Sequence, residues 1–222
     1  MAVVGESVTT SVYDSGVEQL GLSQTHRCLL SLVPPGVTVL ELGPSSGYMT
    51  KVLRERGCTV DAIEANPKDA EKAAQYCRKM VVGSAEEHDS YTKLTDSYDV
   101  VLMADLLEHL RSPELALAEV RKRLSSSGCA LVSLPNIAHW KMRLDLLRGR
   151  FEYTDLGLLD RTHLRFYTLK TAKELFTAAG MRVEDVLVPP PTYPRFGRAK
   201  EWVKSSLPTL FALQVVYVMR PA

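Results

Sequence analysis

Short β-branched runs alternate along the chain with stretches whose apolar residues recur at helical spacing, the pattern of a parallel sheet crossed by helices. Seven segments read as strands: "VTVLEL", "TVDAIE", "KMVVG", "YDVVLMA", "CALVSLP", "MRVEDVLVP" and "FALQVVYVM". Between them, "YMTKVLRERG" reads as a helix closed by Gly57, and "NPKDAEKAAQYC" as one with Pro67 in its first turn. "PELALAEVRKRL" and "LKTAKELFTAAG" complete the helical set. The last two strands have no strong helix tight between them, which predicts an antiparallel edge strand. The expected fold is therefore α/β, a doubly wound and mostly parallel seven-stranded sheet. "PPPTYPRFG", Pro189 to Gly197, reads as a stiff loop rather than a linker.

At 222 residues the chain suits one domain spanning 1–222, because splitting it would leave two thin cores. Residues 1–36 are expected to form a helical cover ahead of the first strand. A net charge of +1, from 27 basic and 26 acidic residues, leaves little excess for phosphate backbones, so nucleic acid is not an expected partner. The four cysteines, Cys28, Cys58, Cys77 and Cys129, form no C-x-x-C pair. A reduced, cytoplasmic protein is expected, monomeric or homodimeric. No apolar run approaches the roughly 20 residues that span a bilayer, so no membrane is expected either.

In an open α/β sheet the ligand lies beyond the carboxyl ends of the strands, where the strand order reverses. "VLELGPSSGYMTKVL" sits there: an apolar strand ending on Glu41, a small-residue loop with Gly43 and Gly47, then a helix. The glycines let main chain turn sharply and approach a ligand, and the helix start is electropositive. A phosphate loop needs G-x-x-x-x-G-K-[ST] and a dinucleotide loop G-x-G-x-x-G; neither is present. A second acid, Glu64, ends the next strand, where ribose hydroxyls are held. The expected ligand carries a ribose and needs no phosphate.

These residues resemble the class I S-adenosylmethionine-dependent methyltransferases, specifically a subgroup acting on small molecules. "LELGPSSGYMT" is similar to that family's first motif, "IEANP" to its ribose-binding acid, "VGSAEEH" to its adenine-side loop and "YDVVLMADLLEHL" to its fourth-strand motif. "SSSGCALVSLPN" and "DRTHLRFYTLKTAKELFTAAGMRV" extend the resemblance to the C-terminus. It implies a Rossmann-like fold, S-adenosyl-L-methionine as methyl donor and S-adenosyl-L-homocysteine as product. The cofactor residues it implies are Glu41, Gly43, Gly47, Glu64, Ala65, Ser84, Ala85, Glu86 and Ala104, with Tyr13 closing over the methionine end. His26 is placed for the same closure. Ser45 replaces a common middle glycine, and Ser84 an aspartate that often contacts the adenine amine.

Methyl transfer needs the acceptor held in line, and a base only where the acceptor keeps its proton. If "DLLEHL" turns helically, Asp105, Glu108 and His109 share one face. Glu108, His109 and His163 are the expected catalytic group. Three roles stand open for them: anchoring the "DRTHLRFYT" segment, acting as general base, or binding a divalent metal with Asp105, as a subset of the family does for vicinal hydroxyls. The expectation adopted is no bound metal. The insert Asn136 to Thr168 is long and rich in aromatics and arginine, which fits a helical lid over the acceptor. Asp105, Asn136, His139, Trp140, Arg143, Phe151 and Tyr153 are its expected substrate contacts. The acceptor expected is a small molecule of natural-product or sugar type. Two alternatives keep the fold but change the class: a non-catalytic adenosylmethionine-binding regulator or scaffold, and a nucleotide-sugar or NAD enzyme, disfavoured by the missing third glycine.

Overall fold

The computed structural model describes residues 22–94, 97–189 and 207–222. Five strands run parallel: β1 (Thr38–Leu42), β2 (Thr59–Glu64), β3 (Lys79–Val82), β4 (Tyr98–Ala104) and β5 (Leu124–Pro135). Each parallel step needs a crossover over the sheet, supplied by α2 (Tyr48–Glu55), α3 (Pro67–Ala74), the short α4 (His88–Tyr91) and α5 (Pro113–Arg123). α1 (Gln24–Leu32) precedes β1, and α6 (Trp140–Leu147) and α7 (Leu169–Ala178) follow β5. The chain then adds β6 (Met181–Leu187), the single turn α8 (Pro208–Phe211) and β7 (Gln214–Pro221).

The sheet order is β3-β2-β1-β4-β5-β7-β6. β7 runs antiparallel to both neighbours, so the antiparallel strand stands one place in from the edge and β6 is the edge itself. β5 begins earlier than the apolar run "CALVSLP" suggests. Leu124 pairs with Tyr98, and a bulge then absorbs residues before Cys129 pairs with Val100.

The apolar runs are continuous because both sheet faces are covered. Leu40, Leu42, Val101 and Met103 point to one core with Phe176 and Tyr217. Val39, Val100 and Leu102 point to the other, with Leu29, Met49 and Leu53 from α1 and α2. Phe176 meets Tyr217 edge-on at 5.1 Å between ring centroids. Asp61, a fully buried acid inside β2, accepts from Arg78 Nε at 2.9 Å and Tyr98 Oη at 2.7 Å.

Local signals set the helix ends. Asn66 caps α3 by accepting from the Lys68 amide at 3.0 Å, with Pro67 behind it. Thr168 and Thr171 bond reciprocally at the start of α7. Strand order reverses between β1 and β4, and that crevice holds the residues the sequence singled out.

Candidate active site

The loop after β1 is built by its own carboxylates. Gly43 (φ 70°), Ser45 (φ 52°) and Gly47 (φ 86°) take left-handed conformations. Glu64, at the end of β2, accepts from the Ser45 amide at 2.9 Å with one oxygen and from the Asn66 amide at 2.8 Å with the other. One carboxylate thereby ties the β1 and β2 loops together. Each oxygen keeps a further acceptor position for a ligand hydroxyl.

The two glycines serve the protein's own packing. A Cβ on Gly43 would lie 3.0 Å from Leu106 Cδ1. One on Gly47 would lie 2.8 Å from Ala73 Cα, where α2 crosses α3. Glu41 is also engaged internally. Its carboxylate is buried under α2, accepts from Thr50 Oγ1 at 2.7 Å, and is pushed up to about 7 by that burial, against the Thr50 bond and with help from the Glu64 charge. In this geometry the Glu41 carboxylate meets Thr50 rather than standing open in the crevice.

On the adenine side, Ser84 Oγ accepts from the Glu86 amide at 3.1 Å. Glu86 accepts from the Ser112 amide just before α5, and the buried Ala85 carbonyl accepts from Tyr91 Oη at 2.7 Å. One Glu86 oxygen is thus engaged at the start of α5. Ala65 stands exposed between Glu64 and Asn66, and Tyr13 lies outside the described residues.

Across the crevice, β4 ends at Ala104 and the chain turns left-handed at Asp105 (φ 49°). Ser133 on β5 holds that turn, accepting from the Asp105 amide at 2.9 Å and donating to its Oδ1 at 2.6 Å. His26 Nε2 lies 3.8 Å from Asp105 Oδ2. Burial pushes the Asp105 carboxyl up, but His26 and Ser133 outweigh it and hold it below the ordinary range, so it is ionised at neutral pH. A negative charge therefore stands in the crevice at Asp105, whereas Glu41, at about 7, is only partly ionised near neutral pH.

Beyond Asp105 a single tight turn spans Leu107–His109. It brings Glu108, His109 and His163 together, with one ligand-type atom from each lying within 4.8 Å of the others. Asp105 is not in that group. The Glu108 carbonyl accepts from the Leu164 and Arg165 amides at 2.8 and 3.0 Å, which anchors the end of the insert. Its carboxyl is buried, Oε2 has no hydrogen-bond partner, and burial together with the Asp105 charge pushes its pKa well up. The two imidazoles meet edge-on at 4.9 Å between centroids. His109 Nδ1 faces the Thr162 carbonyl and His163 Nδ1 the Leu158 carbonyl, each at 3.2 Å. A carbonyl only accepts, so each Nδ1 carries a proton, which makes Nε2 the basic nitrogen in the neutral tautomer of either ring. Burial, then the neighbouring His163, push His109 down.

The insert divides into structural and exposed parts. Asn136 is buried, donates to the Thr209 and Ala212 carbonyls at 3.1 and 2.9 Å, and accepts from the Ala138 amide at 3.1 Å. It pins the insert to the segment before β7 and has no donor left for an acceptor molecule. His139 caps α6 with a long 3.4 Å bond from the Lys141 amide, and Arg143 Nε donates to the Ala138 carbonyl at 2.7 Å. Trp140, Phe151 and Tyr153 stand 43–45% exposed. Phe151, Tyr153 and Phe166 touch ring to ring, and Phe166 lies 6.3 Å from His163.

Ser133, Thr50 and Leu106 are the site-shaping residues that sequence reasoning missed. Ser133 left a usable signal, a lone hydroxyl inside the buried run "CALVSLP". An adenosyl ligand with a cationic tail fits what is present: Glu64 for ribose hydroxyls, ionised Asp105 for positive charge, and small residues between them.

A family model described as a methyltransferase domain matches residues 13–186. The chain is 28% identical over 146 residues to the ribosomal RNA small subunit methyltransferase A of Protochlamydia amoebophila, covering 61% of this chain and 48% of that protein. It is 24% identical over 157 residues to a ubiquinone biosynthesis O-methyltransferase of Aeromonas salmonicida, covering 68% and 65% respectively. The chain thus spans about half to two thirds of these relatives' lengths. Among solved structures, a TehB-like SAM-dependent methyltransferase from Corynebacterium glutamicum superposes with a TM-score of 0.63 at 16% identity, covering 95% of this chain and 94% of that one.

Proposed function

The chain belongs to the methyltransferase domain family, and we propose that it transfers a methyl group from S-adenosylmethionine to a small-molecule acceptor lying under the 136–168 insert. One observation carries this reading. The Glu64-tied loop after β1 stands across the switch point from ionised Asp105 and the Glu108–His109–His163 cluster, so binding groups and a base share one crevice. The cofactor brings a methyl group already activated on a sulfonium, which leaves the chain to position, exclude water and take a proton. Glu64 and the main chain from Gly43 to Gly47 hold the adenosine end, and Asp105 faces the cationic end. His163, fixed by the Leu158 carbonyl, presents Nε2 to the acceptor hydroxyl or amine as general base. Glu108, its carboxyl pushed well up by burial and by the Asp105 charge, lies beside the pair. Phe151 and Tyr153 close over the acceptor.

The relatives' names point two ways, toward a small quinone-pathway acceptor and toward ribosomal RNA. A balance of 27 basic against 26 acidic residues favours the small acceptor. The test is calorimetry with S-adenosylhomocysteine and NAD, followed by single-turnover methylation of phenol and hydroxy-acid acceptors. S-adenosylhomocysteine should bind and NAD should not. His163→Asn should lower the chemical step by roughly 10²- to 10⁴-fold with product affinity unchanged. Absence of S-adenosylhomocysteine binding sinks the whole reading.

A second reading rests on the compactness of Glu108, His109 and His163, whose carboxylate and imidazole donors suit a divalent cation. It keeps the same cofactor crevice but hands acceptor activation to the metal. Activity abolished by EDTA and restored by Mg²⁺ or Mn²⁺ would favour it over the base.

A further inference from the structure

We propose that the outward face of α6 docks on an anionic lipid surface. Eleven large apolar side chains stand exposed among the described residues, and seven of them lie between residues 140 and 164. α6 is their centre. Of its eight residues only Met142 is buried, while Trp140, Leu146 and Leu147 are 45%, 51% and 84% exposed. At 100° per residue Trp140 and Leu147 share a stripe opposite Met142, with half-buried Leu144 beside it, while Leu146 lies nearer the Met142 side. The one buried side chain roots the helix, and its apolar stripe faces water.

Charge says what covers that stripe. Lys141 and Arg148, seven residues apart, border it on one side, and Arg150 follows the helix end at Gly149. All three cations are exposed, whereas Asp145, the one acid of α6, is half-buried. An apolar stripe edged by lysine and arginine, with a tryptophan at one end, is the composition of a helix lying in a headgroup layer. A protein partner would have to match three exposed cations around so small a stripe, whereas anionic headgroups rearrange around them. Among the described residues no helix is long and apolar enough to cross a membrane, so the contact is peripheral, a case distinct from the spanning segment excluded by the sequence. Beyond α6, exposed Phe151 lies 5.9 Å from half-buried Phe166, and Phe166 lies 6.3 Å from the buried His163 of the candidate site.

The experiment needs neither cofactor nor acceptor, so it stands apart from the methyl-transfer reading. The full chain is sedimented with vesicles of phosphatidylcholine alone and with vesicles containing phosphatidylserine, at low and high salt. Binding should require phosphatidylserine and weaken with salt. Leu147→Asp, and separately Lys141→Glu with Arg148→Glu, should each weaken it by about tenfold or more. These side chains are exposed, so melting temperatures should stay at the wild-type value. Wild-type protein left in the supernatant of anionic vesicles overturns the proposal. So does equal binding by Leu147→Asp, or a concentration-dependent dimer that Leu147→Asp dissolves while vesicles are ignored.

Discussion

Replacing Glu64 with Gln separates two jobs that one carboxylate performs. Its oxygens accept from the Ser45 and Asn66 amides at 2.9 and 2.8 Å, and both are hydrogen bonds to a charged acceptor. A glutamine keeps the shape but has one oxygen and one NH₂. Whichever way the amide turns, one backbone N–H loses its acceptor and meets another donor. The loss of that bond costs about 1.5–3 kcal/mol. At roughly 2–4 °C per kcal/mol for a domain this size, the melting temperature should fall by roughly 3–12 °C. Ribose hydroxyls that bonded to a carboxylate would now meet a neutral group, a further ~1.5–3 kcal/mol, or roughly 10- to 150-fold in Kd for S-adenosylhomocysteine. Circular dichroism melts measure the first effect and calorimetry the second. A lower melting temperature with unchanged Kd would refute the ribose role while leaving the loop-tying role intact. An unchanged melting temperature would refute the loop-tying role itself.

Two other perturbations probe the crevice walls. Glu41 binds its proton more tightly folded than unfolded, since its pKa moves from 4.5 to about 7. Stability is therefore lost as pH rises from about 4.5 to about 7 and is flat above, a loss of up to about 3 kcal/mol. Urea unfolding of wild type and Glu41→Gln at pH 5 and pH 8 checks this, and parallel pH dependences in the two proteins would dismiss it. Gly47→Ala would put a Cβ 2.8 Å from Ala73 Cα at φ 86°, combining about 1–2 kcal/mol of left-handed strain with about 1–3 of overpacking. Gly149→Ala, at φ 72° with nothing within 4 Å, carries the strain alone. Equal melting temperatures for the two variants would refute the packing role of Gly47.

The fold was legible because its information is periodic. A strand covered on both faces must be apolar throughout, and a crossover helix must show a stripe, so "TVDAIE" and "YDVVLMA" mark Thr59–Glu64 and Tyr98–Ala104 to the residue. β7 was harder. Nothing in "FALQVVYVM" says that it slips between β5 and β6, since partner choice is a property of three strands at once. β5 began early because "SSSG" reads as a turn, while a bulge lets those residues stay in the sheet.

The site was legible by position and less so by role. Glu41 and Glu64 look alike in sequence, each near the end of a strand with a loop behind it. Period two separates them. Glu41 is followed by Leu42 inside β1, and it shares a face with Val39, whose neighbours Met49 and Leu53 belong to α2. An acid on that face must meet α2, and it meets Thr50. Glu64 is the last residue of β2, so its carboxylate sits where two loops leave the sheet and their amides converge on it. Asp105 follows the same logic one strand over: the first residue past β4, turned left-handed, it stays ionised because Ser133 and His26 reach it from neighbouring elements. A carboxylate still inside its strand is thus consumed by side chains of the elements packed beside it, Glu41 by Thr50 and Asp61 by Arg78 and Tyr98. One at the end or just beyond is shaped by loops, and those loops are what a ligand in the crevice touches.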